Sequence, residues 1–198
     1  MGLERFAVTG LSGGGKYASA CAWGLPDRVN QVALVSSTCS PDLPGAKSTW
    51  NREDRLLYPL VAGVPWLARI VFAKVARDAR RGAESLLSML DKLGPTDREI
   101  HGRPEFRQAL GRSVAEAFRQ AGRGATHDYT LEARSWNVPL DQIQVPFQTW
   151  HGEDDRLVSP QASRILTEAL PGTTTHFVPG AGHLMIAEHA SDILQSVL

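Results

Sequence analysis

Apolar positions follow two different rhythms along this chain, and the rhythm changes twice. Residues 6–9 are a short apolar run, followed by Gly10-Leu11-Ser12-Gly13-Gly14-Gly15 and a helical stretch over 16–25 that Pro26-Asp27 ends. Residues 32–35 are apolar at every position, as in a strand covered on both faces. Between about 42 and 138 the spacing becomes three-to-four. Helices are predicted over 52–60, 65–77, 83–93, 104–121 and 129–136, punctuated by Gly63, Gly94-Pro95, Gly102 and Gly122-Arg123-Gly124. No strand pattern occurs there. Alternation then returns. Residues 147–151 and 173–178 read as strands, 160–170 as a helix with Ser159 at its N-cap and Pro160 at its first position, and 186–198 as a last helix. Strand–helix–strand, a helical insert, and strand–helix–strand–helix imply an α/β fold: a parallel sheet of about four strands with helices on both faces.

Composition narrows the partners. The chain has 198 residues, 42% of them hydrophobic and 21% charged, which suits a packed domain, or a domain with a lid, and not a disordered chain. Its 21 basic and 21 acidic residues cancel, so nothing draws it to nucleic acid or anionic lipid, and neither partner is expected. The most apolar stretch, 56–76, is broken by Pro59 and Pro65 and carries Arg69 and Lys74. It falls short of the ~20 apolar residues that span a bilayer. No charged-then-apolar leader opens the sequence, and Cys21 and Cys39 make no disulfide framework. Buried thiols in a reducing, cytoplasmic setting are the expectation.

Gly10-x-Ser12-x-Gly14 stands between the first strand and the first helix. A serine hydroxyl is a weak nucleophile until a base takes its proton. A sharp strand-to-helix turn pushes that hydroxyl out at the sheet edge, and glycines two residues to either side are expected to avoid backbone clashes. The next N–H, that of Gly13, falls at a helix N-terminus and suits an oxyanion. Without that context the same residues are a glycine-rich turn that starts a helix. Two further segments supply the context. His151-Gly152-Glu153-Asp154-Asp155-Arg156-Leu157-Val158 follows a strand and places carboxylates at its carboxyl end, where parallel sheets carry their active groups. Gly180-Ala181-Gly182-His183 follows the last strand, and its glycines allow the histidine to turn back over the same edge. Serine, then aspartate, then histidine is the chain order of an elbow-type hydrolase.

These segments, with Leu25-Pro26-Asp27-Arg28-Val29 ahead of an apolar strand, resemble the α/β-hydrolase superfamily over essentially the whole chain. The resemblance is to its capped esterase, lactonase and non-haem peroxidase-like branch. It implies Ser12 as nucleophile, His183 as base, Asp155 as acid and Gly13 N–H as oxyanion donor. Asp155 is implied over Asp154 because the family's acid follows the loop glycine, here Gly152, by three. It also implies a core of 1–41 and 139–198, an all-helical cap over 42–138, and no cofactor. The substrate it implies is a small apolar ester or lactone. The family's sheet has more strands than the pattern supplies here, and the match begins near the middle of that sheet. A truncated sheet is therefore expected, without the loop that carries a second oxyanion donor. Loss of such a donor costs about 2.7–4 kcal/mol of transition-state stabilisation. Activity would then be impaired, and the first strand would be an exposed edge suited to homo-oligomer formation. The alternative is a non-catalytic chain of this fold that serves as a binding or oligomerising module.

Other motifs weigh less. No spacing suggests a metal site. Glu153-Asp154-Asp155 lacks the alternating oxygens of a calcium loop, and Lys16 is not followed by the Ser or Thr of a phosphate loop. Trp50, Tyr58, Trp66, Phe72 and Trp136 lie in the helical zone as lid core, with Trp66 and Trp136 as candidates to line an apolar substrate pocket. His101, His127, His176 and His189 have no motif around them, and the basic run 77–81 reads as a solvated helix face.

Overall fold

A computed structural model describes residues 2–81 and 93–198. It divides into two compact units: Met1–Trp50 with Trp136–Leu198, and Asn51–Ser135.

The first unit holds a four-stranded sheet in the order β1-β2-β3-β4: β1 Phe6–Leu11, β2 Val29–Val35, β3 Phe147–Gly152 and β4 Thr174–Val178. Every neighbouring pair is parallel, with Leu11 opposite Val35 and Val35 opposite Trp150. The carboxyl ends of all four strands therefore share one edge. Two-residue periodicity splits β2 between two cores. Val32 and Leu34 face one side, with Ala18 and Ala22 of helix α1 (Gly14–Gly24), Phe147, and Ala162, Ile165 and Leu166 of helix α7 (Gln161–Ala169). Ala33 and Val35 face the other, with Met185, Val197 and Ile193 of helix α8 (Ile186–Gln195). Such double cover is why these four positions are apolar without interruption. Among the described residues β1, by contrast, pairs with β2 alone and leaves Thr9 and Leu11 exposed.

The second unit is helical: α2 Arg52–Gly63, α3 Pro65–Arg81, α4 Pro95–Gly102, α5 Pro104–Ala117 and α6 Arg123–Glu132. Asn51 caps α2 by accepting from the Asp54 N–H at 2.8 Å. Val61, Ala68 and Phe72 form its core, with Tyr129 packed against them, its ring tilted by 42° and centred 4.9 Å from that of Phe72.

Three features differ from the sequence pattern, and a fourth expectation cannot be compared. Helix α4 replaces what reads as a break: Pro95 sits at its first turn, where the missing N–H costs nothing. The helix expected over 129–136 runs instead from Arg123, because Gly122 adopts φ +80 and starts it there. The helix expected over 83–93 lies outside the described residues, apart from Leu93. Residues 42–50 and 136–138 sit with the sheet unit and not with the helical one, since Ala46 and Trp136 are buried in the core on the α1 and α7 face.

Candidate active site

Ser12 follows β1 directly, with φ +54, a left-handed conformation for a residue that is not glycine. Such a position costs of order 1–3 kcal/mol and persists only where its surroundings enforce it. Here they do. The Ser12 N–H donates to Val35 O at 2.9 Å, and the Gly15 N–H donates to Ser12 O at 3.2 Å, which closes the turn into α1. Gly13 is the N-cap of α1, in helical conformation at φ −58, ψ −12. Its N–H therefore belongs to the helix end, where donors have no intrahelical acceptor.

The glycines of this turn do not all serve one purpose. A Cβ on Gly10 would lie 2.6 Å from the Gly14 carbonyl oxygen, so Gly10 lets β1 and α1 approach. A Cβ on Gly14 meets nothing within 4 Å. The expectation that Gly14 relieves a clash is corrected: the second close approach belongs to Gly15, whose Cβ would collide with the Ser37 hydroxyl.

The acid loop follows β3. Asp155 is fully buried, and its carboxylate is surrounded by donors. Oδ1 accepts from the N–H groups of Leu157 at 2.8 Å and Val158 at 2.9 Å. Oδ2 lies 2.8 Å from Nδ1 of His183 and 3.2 Å from Nε2 of His151. Burial alone would raise the carboxyl pKa, but the bonds from His151, His183 and the Val158 backbone outweigh it and lower it to about 2. Asp154, one residue earlier, is exposed.

Backbone bonds bring the acid loop against the histidine loop. Glu153 N–H donates to Val178 O at 3.0 Å and Asp154 N–H to Ala181 O at 2.9 Å. Gly152 is the point of closest approach: a Cβ there would strike the Ala181 carbonyl and lie 2.6 Å from Gly182 O. Gly180, at φ +74, turns the chain so that His183 returns over the edge. Asp155 and His183 are thus joined directly, and Ser12 stands at the end of β1 on the same sheet edge.

Trp136 is 5% exposed and sits in the sheet core, whereas Trp66 on α3 is 66% exposed. Cys21 and Cys39 are not joined in a disulfide. His176 stacks on Trp150 and bonds Gln148 at 2.9 Å. Among the described residues no cluster of His, Cys, Asp or Glu could hold a metal ion, and no helix is long and apolar enough to cross a membrane. His151 is the residue that sequence reasoning missed. Its one signal was a histidine at the carboxyl end of a strand, four residues before the acid.

Comparison with known proteins agrees with this architecture. The model of the alpha/beta hydrolase fold matches residues 1–190. Among solved structures, an alpha/beta hydrolase enzyme from a Medee basin deep-sea metagenome library superposes with a TM-score of 0.64 at 18% identity, covering 100% of this chain and 65% of that one. A thermophilic esterase from Thermogutta terrifontis gives 0.62 at 21% identity, with 98% and 63% covered. An N-acyl homoserine lactone degrading enzyme gives 0.61 at 20% identity, with 99% and 68% covered. At these identities the likeness is one of fold, and the chain spans 65% of the first structure's length. Among curated protein sequences none matches significantly.

Proposed function

We propose, from the premise that this chain belongs to the alpha/beta hydrolase fold family, that it is a serine hydrolase of carboxylic esters or lactones. The observation that carries the reading is the 2.8 Å bond between a buried, ionised Asp155 and His183 Nδ1, at the sheet edge where Ser12 occupies a left-handed turn. The esterase and the lactone-degrading enzyme among its structural neighbours support the choice of substrate class.

In this reading Nδ1 of His183 is committed to Asp155, so Nε2 is the base. It takes the Ser12 Oγ proton as Oγ attacks the carbonyl carbon, and Asp155 stabilises the imidazolium that forms. The oxyanion is held by the Gly13 N–H and the α1 N-terminus. The imidazolium returns its proton to the leaving alkoxide, and an acyl-Ser12 ester remains. Water, deprotonated by His183, then releases the acid and restores the serine.

A fluorophosphonate probe tests this directly. It should label Ser12 in the folded chain, a p-nitrophenyl ester should be turned over, and Ser12→Ala should abolish both. A folded wild type that does neither sinks the enzyme reading and favours a non-catalytic binding or oligomerising module. The exposed β1 edge supports self-association in either case. Light scattering that finds only monomer at high concentration would count against that.

A further inference from the structure

Asp155 Oδ2 lies between two imidazoles, and only one belongs to the triad read above. The other, His151, is fully buried, with Nε2 3.2 Å from Oδ2 and 3.1 Å from the Val158 carbonyl oxygen. Its Nδ1 lies 2.6 Å from the Ser163 hydroxyl, at the start of α7. We propose that His151 is a positioning residue for the candidate acid: its Nε2–H, shared between Asp155 Oδ2 and Val158 O, fixes the carboxylate and keeps it ionised opposite His183.

The chemistry of the partners sets the tautomer. Nε2 faces a carboxylate and a carbonyl, neither of which has a proton to give, so Nε2 must carry one. Ser163 can donate, and its O–H to Nδ1 completes the neutral ring. The ring is held on both sides, by β3 through its own backbone and by α7 through Ser163. The carboxylate then has a donor for each lone pair it uses: two backbone N–H groups on Oδ1, two imidazoles on Oδ2. A buried anion held by one imidazole alone would lose its only Oδ2 partner whenever His183 swung toward substrate. A second, immobile donor lets the base move without stranding the charge.

This inference rests on the reading of Asp155 and His183 as acid and base, so its test does not depend on turnover. In the full chain, ¹⁵N spectra of labelled histidine should show His151 protonated at Nε2 and bare at Nδ1. A ¹³C carboxyl titration should place the Asp155 midpoint about one pH unit higher in His151→Leu than in wild type, because a bond that favours the anion is gone. His151→Gln, whose amide N–H can reach the same oxygen, should recover at least half of that shift. Where esters are turned over, His151→Leu should lower kcat about tenfold with KM within about twofold, and Gln should restore most of it. A merely structural histidine would leave the Asp155 titration where it is. The proposal is overturned if wild-type His151 carries its proton on Nδ1 alone, or if a folded Leu variant moves the midpoint by less than about 0.3 unit. Should His151→Leu fail to fold, the wild-type tautomer and the Gln titration decide. A wild type with no turnover, but with an Asp155 titration that His151→Leu still moves, would reject the hydrolase reading and leave this one standing.

Discussion

Two aspartates, one in each unit, respond to burial in opposite ways. Asp54 on α2 of the helical unit is raised to about 6 because burial dominates, its backbone bond from Asn51 is outweighed, and Glu53 beside it adds repulsion. Asp155 in the sheet unit is also buried, yet it falls to about 2 because histidine and backbone donors converge on it. The helical unit is organised by apolar spacing, and its carboxylate is tolerated. The sheet unit has built a receptor for a charge. Converging donors on a buried anion are expensive to assemble, so their presence makes the sheet edge the candidate functional site.

The largest expected effect sharpens that contrast at the acid itself. Asp155→Asn should lower kcat by about 10⁴, whereas exposed Asp154→Asn should stay near wild type in the same steady-state ester assay. The reverse outcome would move the acid to position 154. Next comes packing. Leu34 is wholly buried between β2 and its covering helices, and Leu34→Ala should cost about 2–5 kcal/mol in urea unfolding. Leu56 of α2 is 70% exposed, and Leu56→Ala should stay within about 0.5 kcal/mol.

A finer comparison sits inside the nucleophile turn. Gly10→Ala drives a methyl into the Gly14 carbonyl and should cost about 1–3 kcal/mol. Gly14→Ala meets open space and should be neutral or slightly stabilising in the same unfolding series. The smallest effect is in pH. Folded Asp54 keeps a proton that the unfolded chain releases near 3.8, so stability should fall as pH rises from about 4 toward about 6. Partial exposure screens and shrinks this term. Asp155 acts in the opposite sense: its contribution is complete above its unfolded value of 3.8 and is lost as pH falls toward about 2. Asp54→Asn should flatten the upper slope in pH-dependent thermal melts and leave the lower one unchanged.

Much of this was legible before any coordinates. All four strands announced themselves, as did Ser12, Asp155 and His183 at strand ends, since glycine-flanked turns and apolar runs are local signals. Helix α4 was not legible, because Gly94-Pro95 looks the same whether it ends a helix or begins one. Trp136 was assigned to the lid by its position in the chain, but it sits in the sheet core, and no local spacing distinguishes the two. Gly14 matched a motif without needing its glycine. Gly15 did need it, because the clash is with Ser37, a residue remote in sequence.

The amino-acid order alone determined the strand–helix alternation, the placement of a serine, a carboxylate and a histidine after strands, and a neutral charge balance. Those properties depend on neighbours within a few residues. Only the tertiary structure decided that Gly152 must lack a side chain for two loops to touch, which glycine of the turn is sterically required, and that His151 shares a carboxylate with His183. Each of these depends on atoms brought together across the sheet, and chain order carries no record of such distances.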